Sequence, residues 1–322
     1  MITLTSGLCP AKGIWTPIIV FFVFLAVTGT LYLSTQPGEY SVNASESSER
    51  VAAPSNQTGE GESKDEIDRL GIMELYPTKS GGQEWYSSWN NGIIRELGFG
   101  QRDAYDNIEL SGDGSLKVNG EEGIAHSSGK APRIRVVDSD FDNVEVTLYG
   151  KRISEKEEIS YQGFVVGARS KHYTDQECYA NTYYGRFTYD GRVSFEKELF
   201  HGHGDDAYYP QLKKDIYLWP DGIPRDEWIG LKFIVRTITN EKGEDAAVKL
   251  ELYRDLTDGR NGGTWVKVLE FTDVGEWYVE AKEGICNDYP HNKILFTPGF
   301  VFIRNDYIDE AQYKKFSIRE ID

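Results

Sequence analysis

The segment 178–209 reads CYANTYYGRFTYDGRVSFEKELFHGHGDDAYY, two alternating runs around Asp190-Gly191. Asp-Gly is a pair that a two-residue type I′ hairpin turn prefers, because both central positions need positive φ. A two-residue loop sets Tyr189 against Arg192, Thr188 against Val193, Arg186 against Phe195, Tyr184 against Lys197 and Thr182 against Leu199. Paired residues share a sheet face and the side-chain period is two. One face therefore gathers Tyr184, Arg186, Lys197 and His201 beside Val193, Phe195 and Leu199. The other gathers Tyr183, Phe187, Tyr189, Glu196 and Glu198.

The same texture recurs on both sides of the hairpin. Runs rich in β-branched and aromatic residues occupy 143–153, 160–170, 228–238, 247–255, 264–272, 298–306 and 314–321. Turn clusters at 120–123, 221–222 and 258–263 separate them, and no long helical period competes. Residues 65–322, about 250 in number, match the size of one all-β sandwich. Strands without βαβ spacing leave a sandwich, a jelly roll or a propeller, and the absence of a blade repeat disfavours the propeller.

The N-terminal part is of a different kind. Residues 13–36, GIWTPIIVFFVFLAVTGTLYLSTQ, carry no charge and are long enough to cross a hydrocarbon core of about 30 Å as a helix. A cleavable signal peptide is the competing reading, but its apolar core is shorter and ends at a small-x-small site that this run lacks in clear form. The expected division is a short inner tail at 1–13, a transmembrane signal anchor at 14–35, a disordered linker at 36–64 and the outer domain at 65–322. Lys12 precedes the span while Glu39, Glu46 and Glu49 follow it, so the charge bias puts the N-terminus inside and the C-terminal domain outside a cell membrane crossed once. The linker is rich in Ser, Glu, Gly, Asn and Pro and too poor in apolar residues to fold. Asn43 and Asn56 open its two N-glycosylation triplets.

The formal net charge of −17 argues against a nucleic-acid partner, and an acidic substrate would need a local basic patch. Three cysteines are too few for a disulfide scaffold. Cys178 and Cys286 both fall in the outer domain, where an oxidising compartment permits one bridge; two buried thiols are the alternative.

Four segments together resemble a known superfamily: Trp228-Ile229-Gly230-Leu231-Lys232 leading a strand, DGRNGGTW at 258–265, GFVFIRND at 299–306 and YKKFSIREI at 313–321. They are similar to concanavalin A-like lectin/glucanase jelly rolls, a group that includes laminin G-like modules and jelly-roll polysaccharide lyases. The last two segments also resemble a recurring ending of surface proteins with this sandwich. The resemblance implies an all-β, concanavalin A-like jelly-roll β-sandwich of two curved sheets, with a concave face for a glycan or polysaccharide. It implies no required cofactor and is compatible with a structural Ca2+.

Three site readings follow. A retaining glucanase of this superfamily is expected to carry Glu-x-Asp-x-x-Glu on one strand, and that motif is absent, so Glu196 and Glu198 read as surface charge before they read as an acid pair. Polysaccharide lyases use an Arg to neutralise the uronate carboxylate and a Tyr, His or Lys to move the proton. On that model Arg186 holds the carboxylate, Tyr184 or His201 is base and acid, and Lys197 tunes the phenol; the ordinary alternative is a cross-strand Tyr-Lys pair whose lysine reaches water. Arg169 and His172 extend the basic patch, and Tyr208, Tyr209 and Trp219 are candidates to stack on sugars. His201, His203, Asp205 and Asp206 could hold a metal, and 138–142 opens like a calcium loop but lacks its glycine and glutamate, so the metal content stays open. Binding is favoured over catalysis, the lyase is the enzymatic alternative, and a structural envelope role is the third class. The oligomeric state is not legible.

Overall fold

The computed structural model describes residues 66–155, 159, 163–172, 178–200, 204–205, 207–209, 216–281 and 286–322, with backbone only at 204–205, 207–209 and 280–281. The expected span, the linker, Asn43, Asn56, His201 and His203 lie outside the described residues. Among the described residues no helix is long and apolar enough to cross a membrane.

The described chain is all-β and forms two nine-stranded antiparallel sheets. The first runs in the order Val266–Asp273, Asp245–Asp255, Trp228–Thr239, Val144–Ser154, Ile308–Glu320, Ile124–Gly129, Ser115–Asn119 and Ile94–Leu97, with Glu84–Ser87 also on Ile308–Glu320. The second runs Ala207–Tyr209, Arg192–Glu198, Thr182–Thr188, Gly163–Ser170, Phe300–Asp306, Arg133–Val136, Ile108–Ser111 and Arg102–Asp103, with Ile216–Tyr217 also on Arg192–Glu198. The sheets pack through alternate residues: Ile229, Leu231, Phe233 and Val235 of one strand meet Tyr183, Phe187, Val193 and Phe195 in a single apolar cluster. Gly185 makes this approach possible, since a Cβ there would lie 2.8 Å from the Phe233 ring.

The hairpin register differs from the sequence expectation by one residue. Tyr184 pairs with Glu196, Tyr183 with Lys197, Arg186 with Ser194 and Phe187 with Val193. The loop has three residues, Tyr189-Asp190-Gly191, closed by the Gly191 amide donating to the Thr188 carbonyl at 2.8 Å. Only Gly191 needs a positive φ, here 85°, the arrangement of a turn followed by one left-handed residue. A one-residue slip exchanges the faces of one strand relative to the other. Glu196 and Glu198 therefore share a face with Tyr184 and Arg186, while Lys197 joins Tyr183 in the interior. Apolar matching decides it, because only this register puts Val193 and Phe195 on the side of Phe187 and Tyr183.

The outer face of the first sheet is covered by the segment that precedes its strands, and charge fixes that cover. Glu145, fully buried, accepts from Lys232 Nζ at 2.6 Å, from Arg319 Nη2 at 2.9 Å and from the amides of Leu75 and Tyr76 at 3.0 Å. Arg319 continues to Glu74 and Thr78 Oγ1, each at 2.6 Å. Asp68 turns the start of the segment, accepting from the Leu70 and Ile72 amides at 2.8 and 2.9 Å. Cys178 and Cys286 are bonded, with Cα atoms 5.4 Å apart.

Burial pushes the Glu145 carboxyl up, but Lys232 and Arg319 outweigh it and hold it below the usual carboxylate range. Its contribution to stability is thus present above the ordinary glutamate pKa and is lost as pH falls through the lower folded value. Urea unfolding should show wild-type stability declining below about pH 4. Glu145→Gln should cost about 3–5 kcal/mol near neutral pH, because buried Lys232 loses its carboxylate and Arg319 keeps only Glu74, and should flatten that acid limb.

Candidate functional site

The outer face of the second sheet is built by strict alternation. In Arg133–Val136 the side chains of Ile134 and Val136 enter the core, which leaves Arg133 and Arg135 outside. In Phe300–Asp306, Val301 and Ile303 enter the core while Phe300, Phe302 and Arg304 face out. Val165 and Tyr184 complete an apolar floor with the two phenylalanines. Phe302 lies across Gly167, where a Cβ would come within 2.4 Å of the ring, so no other residue leaves it that space.

Guanidinium groups cover this floor. Arg133 stacks over Phe302 at 5.0 Å, Arg135 over Phe300 at 5.1 Å and Arg304 over Tyr184 at 5.2 Å. The rings also contact one another edge-on or tilted, with centroids 5.8 Å apart for Tyr184 and Phe302 and 6.0 Å for Phe300 and Phe302. A guanidinium stacked on a ring keeps its N–H edge for a second partner. For Arg135 that partner is Glu109 at 3.2 Å and for Arg304 it is Asp306 at 3.0 Å. Arg186 donates to Glu196 at 2.6 Å. The side chain of Arg133 makes no hydrogen bond or ion pair with any described residue, and its Nε is buried. Burial moves its pKa downward, against the opposing pull of the Tyr184, Glu198 and Asp306 groups nearby.

Tyr184 is fully buried and its hydroxyl donates to Glu198, whose other oxygen lies 3.4 Å from His172 Nε2. Burial first, and then the Glu198 charge, raise the phenol well above its ordinary value. The sequence reading placed an ammonium beside this phenol to favour its ionisation. The register replaces that ammonium with a carboxylate, so Tyr184 is held as a phenol and suits a donor rather than a base.

Of the residues singled out in the sequence, Tyr184, Arg186 and His172 come together here, joined by Glu196 and Glu198 from the face once set aside. The backbone of Tyr208 pairs with Glu196 and that of Tyr209 with Phe195, at the edge of the same sheet. Lys197 is absent from the patch and points into the core. Arg169 is also turned away: it sits at a bulge between the Phe300 and Phe302 pairings with φ of 51°, and its guanidinium donates to Leu295 O, Asn143 Oδ1 and Thr237 Oγ1, each at 2.8 Å. Trp219 packs edge-on to Phe187 at 5.5 Å, on the core side. Arg133, Arg135, Arg304, Phe300 and Phe302 were not foreseen; the alternation in RIRV and FVFIR was the signal, since it sets one face of each strand apart as charged or aromatic.

Among the described residues no cluster of three or more His, Cys, Asp or Glu is placed to hold a metal. The acids of 138–142 have basic neighbours instead: Asp138 meets Arg102 at 3.6 Å, Asp140 meets Lys171, and Asp142 meets Arg169 at 3.3 Å. A separate depression of about 900 Å3 lies on the first sheet around Ser115, Lys117 and His126. Glu96, Glu122, Asp309 and Glu310 rim it, which suits a neutral or cationic ligand better than an anion.

No family model matches the chain, and no curated protein matches it. Solved structures similar to it include the exoplasmic/lumenal domain of VIP36 in its Ca2+/Man-bound form, at 10% identity over 71% of this chain and 92% of that one, with a TM-score of 0.42. Arcelin-5, a lectin-like defence protein from Phaseolus vulgaris, is 12% identical over 70% of this chain and 97% of its own, with a TM-score of 0.38. A Bacillus subtilis protein of unknown function with a galectin-like fold is 13% identical over 71% and 98%, also at 0.38. At these values the likeness carries no ligand or activity across.

Tyr184→Phe removes the phenol donor to Glu198 while keeping the ring under Arg304. Denaturant unfolding should show a loss of about 1.5–3 kcal/mol, the range for a buried hydrogen bond to a charged group.

Proposed function

We propose that this domain binds an acidic glycan across the arginine-covered face of its second sheet, without catalysis, as a member of the concanavalin A-like sandwiches. The observation that carries the proposal is Arg133, a guanidinium stacked on Phe302 with no carboxylate of its own among the described residues. A half-buried guanidinium without an anion is under-satisfied, and an incoming sugar carboxylate would supply the missing partner through charge-assisted bonds. Arg135 and Arg304 already have partners, so they offer polar edges for hydroxyl groups rather than a second anion site. The local basic group also reconciles an acidic chain of net charge −17 with an acidic ligand.

In the same proposal residues 14–35 anchor the protein in a cell membrane with its N-terminus inside, and 36–64 tether the domain outside with glycans on Asn43 and Asn56. The Cys178–Cys286 bridge supports an oxidising location. Protease added to intact cells should release the domain; protection until lysis would reverse the orientation.

Calorimetry with uronate oligosaccharides and neutral oligosaccharides of equal length should show binding of the acidic series only. Arg133→Gln should weaken it by about tenfold to a hundredfold, the equivalent of about 1.5–3 kcal/mol. Equal affinity for the neutral series, or no change in the variant, overturns the proposal. New absorbance from unsaturated ends would make the protein a lyase, and neither binding nor product would favour a structural role.

A further inference from the structure

Two lysines are buried almost completely, and each sits against a carboxylate, Lys232 at 2.6 Å from Glu145 and Lys197 at 2.7 Å from Asp273. Their surroundings differ in a way that matters chemically. Glu145 is gripped by a second cation and two backbone amides, which keep it a carboxylate and a poor electrophile. Among the described residues Asp273 has no cation but Lys197. Its Oδ2 accepts from Lys197 Nζ at 2.7 Å and from the Tyr183 hydroxyl at 2.6 Å, and its Oδ1 accepts from the Gly275 amide at 3.0 Å. Both side chains are fully buried, and aromatic groups wall the pair: Trp277 is stacked on Tyr183 with centroids 6.1 Å apart and meets Phe271 at 4.9 Å.

We infer that Lys197 and Asp273 condense into an intramolecular amide, a covalent cross-link between the two sheets. The step begins with transfer of one proton from Nζ to Oδ2 along their 2.7 Å hydrogen bond, which leaves an amine facing a carboxylic acid. The Nζ lone pair attacks Cγ, and the oxygen that gains charge, Oδ1, already receives the Gly275 amide. The Cγ–Oδ2 bond breaks with the Tyr183 phenol donating to the departing oxygen, and the second Nζ proton follows through the same phenol. One C–N bond forms, one C–O bond breaks and one water leaves; nothing is oxidised or reduced. Tyr183 suits the relay because burial alone favours its protonated form. The product joins the Arg192–Glu198 strand of the second sheet to the last residue of Val266–Asp273 in the first, and unlike Cys178–Cys286 it would survive reduction.

The test is mass spectrometry of the full chain, reduced, denatured and digested. The expected result is a branched peptide joining the segments that contain Lys197 and Asp273, lighter than their sum by one water. Lys197→Arg, which keeps the charge but cannot form this amide, should give the two linear peptides, and Tyr183→Phe should raise the linear fraction. Linear peptides alone in the wild type overturn the inference, as does a water loss mapped to any other position. The wild-type result stands whether or not either variant folds.

Discussion

The register of one hairpin governs what this domain can do. With Tyr183 opposite Lys197 and Tyr184 opposite Glu196, the strand Arg192–Glu198 sends its apolar side chains and one lysine inward and both glutamates outward. Moving the pairing by one residue would bury Glu196 and Glu198 among Phe233 and Leu252 and separate Arg186 from Glu196. The three-residue loop at 189–191 sets the geometry, and the fit of Val193 and Phe195 against the opposite sheet holds it.

Seen from the charges, the sandwich uses its two outer faces differently. On the first sheet, Glu145, Lys232 and Arg319 are consumed by the segment lying over them, so the charge there is fully spoken for. On the second, arginines lie on rings rather than under a covering strand, and one of them lacks an anion. Burial of charge is costly on either face. Only the first face recovers that cost wholly from within the described chain.

The all-β class, the positions of most strands and the pairing of Cys178 with Cys286 were within reach of the sequence, because alternation and cysteine count are local properties. The hairpin register was harder. Asp190-Gly191 admits both a two-residue loop and the end of a three-residue loop, and local preference alone favours the former. Matching Phe187 and Tyr183 to Val193 and Phe195 would have chosen correctly, but it requires knowing which face meets the other sheet. Arg169 illustrates a different limit: its alternation predicts an outward side chain, and a single bulge, visible only once Phe300–Asp306 is laid beside it, turns it inward. The arginine-aromatic layer draws on segments 165 residues and more apart in the chain, Arg133 and Arg135 with Phe300 and Phe302, and only the sheet order brings them together.

The covering segment also meets the far end of the chain. Thr78 bridges to Ile321, and Glu84–Ser87 lies antiparallel along Phe316–Arg319, so residues at the two extremes of the described domain sit side by side. Tension between those ends would not shear the long central strands. It would open the clamp like a zipper, loading one bond at a time, and the first strand to lose its neighbour would be the one that carries Arg319.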